Sequence, residues 1–270
     1  MNDTDTSRST GPATALVLLH GFPVDHRMWD DVVGSLAVGI PVIAPDLPGL
    51  GSAAVPEGEP SLDRSADVVA ALVEAAGHGR VVVAGLSMGG YVALALAERH
   101  PGLVAGLALV DTTSTADDEP ARANRERVAG EVDASGSVDP VLGMVGSLLS
   151  DESVSGRPDL PSTVSGWIRE QPPVGVAWSQ RAMAARPDRS DVLAAFDGPV
   201  VVVVGEDDTV TPLAAAQHMA STARDADLVS IPGAGHLSAV EAPGAVAEAL
   251  DELLRREGEV LADGSEVPTR

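Results

Sequence analysis

Val81-Val82-Val83-Ala84-Gly85-Leu86-Ser87-Met88-Gly89-Gly90 decides how the rest of the chain is read. A run of Val closed by Gly reads as a strand buried on both faces. The apolar-periodic segment Tyr91 to Ala97 behind it reads as a helix. Ser87 then falls on the turn joining the two, with Gly85 and Gly89 on either side. Small residues there let strand and helix pack closely, so the turn is tight and lifts the hydroxyl to the carboxyl end of the sheet. A hydroxyl so placed is a candidate nucleophile. The bland alternative is a Gly-rich strand–helix turn without chemistry, and the pentad alone does not separate the two.

Working outward, the same rhythm recurs. Ala15–Leu19 reads as a strand running into His20-Gly21-Phe22-Pro23, followed by a helix over Met28–Val38. Pro41–Ala44 reads as a strand ending in the turn Pro45-Asp46-Leu47-Pro48-Gly49-Leu50-Gly51. Ser61 caps a helix over 62–76, and Leu107–Val110 follows as a further strand. Strands alternating with helices predict right-handed crossovers and a mostly parallel sheet, an α/β fold. From Thr112 to Arg189 the rhythm breaks: short helical patterns, Gly and Pro breaks, two of the three Trp and no convincing strand. It resumes with Pro199–Gly205, Asp227–Ile231 and a helix over Ala242–Arg256. The expected organisation is a loose tail over 1–14, a core over 15–111 and 190–256, a helical cap over 112–189, and a loose tail over 257–270.

Composition narrows the function. The chain has 270 residues and no Cys, which excludes disulfides, thiolate nucleophiles and Cys-based metal sites. All 17 basic residues are Arg, and the net charge of -23 repels nucleic acid and anionic membranes. A GC-biased genome and adaptation to salt both fit this Lys-free, acidic composition. The first 14 residues are too polar for a signal peptide, and no apolar run nears the ~20 residues that span a bilayer. A cytoplasmic location is the expectation.

A Ser hydroxyl needs a base within reach and a third group to orient that base. His236, in Pro232-Gly233-Ala234-Gly235-His236, follows the last strand and so shares the carboxyl edge with Ser87. His20 reads as shaping the turn after the first strand. His26 lies in a loop, His78 and His100 near helix ends, and His218 in a surface helix. For the acid, Asp208 follows the strand ending at Val204, and the order Ser, Asp, His results. Asp207 is adjacent, and Asp111 ends an earlier strand, where a cap or turn role is the plainer reading. Asp46 reads as bonding its own turn.

His20-Gly21-Phe22-Pro23, Asp46-x-Pro-Gly-x-Gly51, Gly85-Leu-Ser-Met-Gly-Gly90, Gly205-x-x-Asp208-x-x-x-Pro212 and Gly233-x-Gly-His236 together resemble the α/β-hydrolase superfamily. Within it the chain is most similar to small cap-bearing serine esterases and 3-oxoadipate enol-lactonase-like proteins. The resemblance implies Ser87 as nucleophile, His236 as base and Asp208 as orienting acid. It also implies an oxyanion hole from the backbone N–H groups of Phe22 and Met88. No metal and no cofactor are implied. Family members usually begin with an antiparallel strand pair, for which the residues before Ala15 are too few and too polar. Six parallel strands are therefore expected. Losing that pair exposes the edge strand Pro41–Ala44, which bears on stability and leaves a homodimer contact there open.

The leading expectation is a cofactor-independent hydrolase of a small carboxylic ester or lactone. A carboxylate-bearing enol-lactone is the narrower variant, and a catalytically silent small-ligand-binding protein the alternative of another class. Trp167, Ile168, Val174, Val176, Trp178 and Met183 are candidates for lining a substrate pocket, with packing of cap onto core the plainer reading. Trp178 and Arg181 are three apart and share a helix face. Arg181 is thereby a candidate for seating a substrate carboxylate, against the plainer reading of an ion pair with an acidic neighbour.

Overall fold

The computed structural model describes residues 13–264. Its centre is a six-stranded, wholly parallel sheet in the order β2-β1-β3-β4-β5-β6. The strands are β1 (Ala15–Leu19), β2 (Val42–Ile43), β3 (Val81–Leu86), β4 (Val104–Val110), β5 (Val200–Gly205) and β6 (Ala226–Ile231). The four central strands β1, β3, β4 and β5 are buried along their whole length. That is why they read as unbroken Val, Leu and Ala runs. β2 is an edge of two half-buried residues, shorter than the Pro41–Ala44 strand expected from sequence. Brevity limits the backbone an edge offers to another chain.

Helices cover both faces. A 3-10 turn (His26–Trp29) leads into α1 (Asp30–Ser35), so this helical segment stops short of Val38. α2 (Leu62–Ala75) begins where the Ser61 side chain accepts from the Asp63 amide. α2 packs behind α3 (Met88–Arg99), which lies on β1, β3 and β4. Between β4 and β5 come α4 (Glu119–Ser135), α5 (Asp139–Leu142), α6 (Val145–Leu148), α7 (Asp151–Gly156), α8 (Leu160–Arg169), α9 (Pro173–Ala184) and α10 (Ser190–Ala195). The chain closes with α11 (Leu213–Thr222), the short α12 (Ser238–Glu241) and α13 (Pro243–Gly264). No helix among the described residues is long and apolar enough to cross a membrane.

α13 corrects two expectations. It continues past Arg256, and Glu257 is buried rather than loose because its carboxylate accepts the Ala13 amide at 3.2 Å. Thr14 in turn donates its amide to Arg80 O at 2.8 Å, so residues 13 and 14 are tied to the folded body rather than lying in a loose tail. The rest of the expected tails, 1–12 and 265–270, lies outside the described residues.

Register brings the strand ends level. Leu19 pairs with Gly85, Gly85 with Leu109, Val110 with Val203, and Gly205 with Ile231. The segments leaving β1, β3, β4, β5 and β6 therefore gather at one edge. The strand order reverses between β1 and β3, the switch point where parallel sheets open a crevice. The helices between β4 and β5 touch this edge at two places. Leu237 donates its amide to Leu148 O at 3.0 Å, beside the turn after β6. On the other side Gly175 of α9 meets Gly49, whose φ is +85°: a Cβ on Gly175 would lie 1.6 Å from Gly49 O.

Candidate active site

Ser87 sits at φ 53°, ψ -113°, a conformation that costs a non-glycine residue ~1–3 kcal/mol and persists only where its surroundings hold it. They do so here. Its carbonyl accepts from the Thr112 hydroxyl at 2.7 Å and the Gly90 amide at 2.9 Å, while its amide donates to Val110 O at 3.0 Å. The flanking glycines answer to close approach. A Cβ on Gly85 would lie 2.2 Å from Gly89 O, and one on Gly89 2.1 Å from Leu19 O.

From that turn the Ser87 hydroxyl reaches His236, Nε2 to Oγ 2.9 Å. The other ring nitrogen, Nδ1, lies 2.8 Å from Asp208 Oδ2. Asp208 is buried, and burial alone would raise its carboxyl. The hydrogen bond and charge of His236, with the Thr211 hydroxyl and amide, instead hold it below the usual carboxylate range. Its Oδ1 accepts the amides of Val210 (2.7 Å) and Thr211 (3.0 Å), and its Oδ2 the Thr211 hydroxyl (2.7 Å). An ionised Asp208 requires the proton on Nδ1, which leaves Nε2 to accept from Ser87. Asp207, by contrast, is exposed.

The loop after β1 lies beside Ser87, since a Cβ on Gly21 would come within 3.7 Å of Ser87 Cβ. The amides of Phe22 and Met88 donate to no group among the described residues. His20 locks the start of this loop. Its Nε2 accepts the Leu47 amide at 2.8 Å, so Nδ1 carries the proton and donates to Gly21 O at 2.9 Å. Burial lowers its pKa in keeping with a neutral ring. His26 departs from a free loop role: its Nδ1 lies 2.6 Å from Asp46 Oδ1, and Asp46 also accepts from Ser52. Asp25, His26 and Asp46 are close enough to hold a metal ion. Their carboxylate oxygens are taken instead by Arg27, Gln171, His26 and Ser52.

Asp111 is neither a helix cap nor an ordinary turn residue. Wholly buried, at φ 44°, it accepts the Gly205 amide at 2.9 Å on Oδ1 and the Ser238 amide at 3.0 Å on Oδ2. Burial pushes its carboxyl up to about 7, against the pull of the nearby His236 and with the charge of Asp208 adding to the rise.

The pocket candidates divide differently from the expectation. Ile168, Val176, Trp178 and Met183 pack into the main apolar core, and Val174 is exposed. Trp178 keeps a buried indole N–H without a partner among the described residues. Trp167 is half-buried with the Arg27 guanidinium 5.9 Å from its ring centre. Arg181 is engaged by α4, its guanidinium 2.6 Å from Asp133 and 3.7 Å from Glu126, which favours the ion-pair reading over a substrate carboxylate. A cavity of about 500 Å³ opens at the amino ends of β4 and β5, between Val104, Phe196 and Pro199. It lies at the opposite end of the strands from Ser87.

Three residues at this edge carry no local sequence signal. Thr211 braces Asp208, as described. Glu241 accepts the amides of Gly235 (3.0 Å), Leu237 (3.2 Å) and Ser150 (2.9 Å), holding the His236 turn from outside. Gln171 is buried at the α8–α9 junction; its Nε2 donates to Asp25 Oδ2 at 2.8 Å and its Oε1 accepts the Gly51 amide at 2.7 Å.

Known proteins resemble the chain in sequence and in fold. Residues 14–243 match the family described as alpha/beta hydrolase fold. The pimeloyl-[acyl-carrier protein] methyl ester esterase of Neisseria meningitidis is 32% identical over 234 residues, covering 81% of this chain and 85% of that protein. A thermophilic esterase from Thermogutta terrifontis, solved with malate bound, superposes with a TM-score of 0.87 at 37% identity, covering 92% of this chain and 91% of that one. The enol-lactonase of Burkholderia xenovorans shares the fold at a TM-score of 0.82 and 22% identity, covering 91% and 92%. The chain belongs to the alpha/beta hydrolase fold family, as an enzyme of its carboxylic ester hydrolase branch.

Proposed function

We propose that the protein hydrolyses a small carboxylic ester without a cofactor, through an acyl-enzyme on Ser87. The observation that carries this reading is the unbroken chain of hydrogen bonds from Ser87 Oγ through His236 to a buried Asp208. Ser87 Oγ attacks the ester carbonyl as its proton passes to His236 Nε2. The negative charge that develops on the carbonyl oxygen is received by the Phe22 and Met88 amides. Met88 opens α3, so the helix dipole adds to its effect. The imidazolium then protonates the departing alcohol. Water, giving its proton to the same nitrogen, releases the acid and restores Ser87. Asp208 keeps the imidazole in the productive tautomer throughout and stabilises its charged form.

A lactone presents the same carbonyl with its alcohol tethered, so these steps open it equally. The engagement of Arg181 by Asp133 and Glu126 favours neutral substrates over those with a free carboxylate. A silent ligand-binding role fits poorly with a Ser already hydrogen-bonded to a base that is itself hydrogen-bonded to an acid. The test is Ser87→Ala with p-nitrophenyl esters of rising chain length and a fluorophosphonate probe. The variant is expected to lose roughly 10⁵-fold or more in kcat and all labelling, with an unchanged melting temperature. Labelling of the variant, or retention of a few per cent of activity, would falsify the assignment of the nucleophile.

A further inference from the structure

Two loops must be held in register for the site to work, one carrying Asp208 and the other His236. They touch where Gly205 meets the turn after β6. A Cβ on Gly205 would lie 2.2 Å from Gly235 O, and the Asp207 amide donates to Ala234 O at 2.9 Å. These contacts join the two loops backbone to backbone. Asp111 stands behind this seam. One oxygen accepts the amide at the base of the acid loop, Gly205, and the other the amide two residues beyond the base, Ser238. It is the residue after β4, locked by its own amide donating to Val203 O at 2.9 Å. Its neighbour Thr112 supports the Ser87 carbonyl. One short segment thus bears on all three members.

We propose that Asp111 is a positioning residue for ester hydrolysis: its carboxylate clamps the Asp208 loop to the His236 loop and supplies a negative charge beside the imidazole. This rests on the assignment of His236 as base. The titratable groups that face Asp111 are His236 and Asp208. In the transition state the charge stabilises the protonated ring, raising kcat. Burial pushes the Asp111 carboxyl up to about 7, so acidification below neutral pH removes this charge and one of the two acceptors together, and the clamp contributes to the acid limb of the pH profile. Asp111 touches no reacting atom and acts only through these neighbours.

The experiment compares Asp111→Asn with the parent across a pH series of p-nitrophenyl ester hydrolysis. An amide keeps the shape but offers one acceptor where two amides need one each, and it carries no charge. The expected result is a fall of about tenfold in plateau kcat, KM within twofold, and an acid limb of kcat/KM displaced downward by about half a pH unit. A role in folding alone would lower the amount of active enzyme at every pH alike, leaving the limb in place. That outcome, or a variant within twofold of the parent throughout, overturns the proposal. Where Asp111→Asn does not fold, infrared titration of the parent decides. A carboxylic acid carbonyl band lost by the pH at which kcat reaches its plateau supports an ionised Asp111 in the working enzyme; a band that persists on the plateau overturns it. Failure of Ser87→Ala to lose activity would instead strike the triad assignment, so the two failures are distinguishable.

Discussion

The carboxyl edge of the sheet and the helices between β4 and β5 are built on different terms. At the sheet edge the side chains of His236, Asp208 and Asp111 are each held by partners at close range, and glycines stand where backbone meets backbone. Asp208 takes four donors, and Gly85, Gly89 and Gly205 leave no room for a Cβ. The inserted helices are joined by long Arg side chains reaching carboxylates. Arg125 and Arg186 share Asp117, Arg181 takes Asp133, and Arg189 takes Asp63 and Glu98 back on the core. Short contacts between rigid groups fix geometry to fractions of an ångström, whereas long Arg side chains paired with carboxylates, all but Asp117 of them with exposed side chains, fix chiefly neighbourhood. The edge is the part that must hold a reacting geometry, and the insert needs only to stay in place.

The sharpest way to break this contrast is at the acid. Asp208→Asn is expected to lower kcat by about 10⁴-fold, because an amide neither fixes the imidazole tautomer nor stabilises its charge. Asp207→Asn, at the exposed neighbouring residue, is expected to stay within a few-fold. Comparable losses in the two would mean that the edge does not discriminate between adjacent carboxylates.

Gln171 tests the boundary between the regions, since it belongs to the insert yet is bonded in the manner of the edge. Gln171→Ala leaves the Gly51 amide without its acceptor and Asp25 with one donor fewer, a cost of about 1–3 kcal/mol. The melting temperature should fall by roughly 3–10 °C in calorimetry. An unchanged value would move Gln171 to the loosely held side of the comparison.

The smallest effect is expected at Arg181. Its partners are largely exposed, so Arg181→Ala should alter stability by no more than about 0.5 kcal/mol. It should change kcat/KM equally on a neutral ester and on a lactone bearing a carboxylate. A selective loss of ~10-fold on the charged substrate would reinstate Arg181 as a substrate contact.

The same division explains what could be read in the sequence. β1, β3, β4 and β5 are apolar runs because both faces are covered, and Ser87, Asp208 and His236 stand out because each lies within a few residues of a strand's carboxyl end. Local pattern therefore carried a mostly parallel sheet and the grouping of these three residues at one edge. The clamps did not show. Asp111 pairs with amides 94 and 127 residues away, and Gln171 reaches Asp25 across 146. Polarity alone also points to solvent where tertiary partners in fact fold the residue. α13 extends beyond Arg256 through a polar stretch because Glu257 binds the Ala13 amide and Arg256 takes Asp225 and Asp227 from the β6 side. Val174, apolar and expected inside, faces solvent, since α9 turns its small and larger apolar residues Val176, Ala177 and Ala182 to the core instead.

The meeting of Gly49 and Gly175 sets a rule for anyone who would re-engineer substrate range by transplanting helices from a relative. At that point two main chains cross with no side chain between them. A donor segment with alanine or anything larger at 175 would be pushed outward on the side nearest the β1 loop, while its far end stayed seated at Leu237. The graft would tilt rather than detach, and the placement of α8 and α9 on the core would change for a reason unrelated to the side chains chosen. Chimeras and libraries that vary α8 and α9 should therefore keep glycine at both crossing positions, so that a change in selectivity can be credited to the side chains introduced.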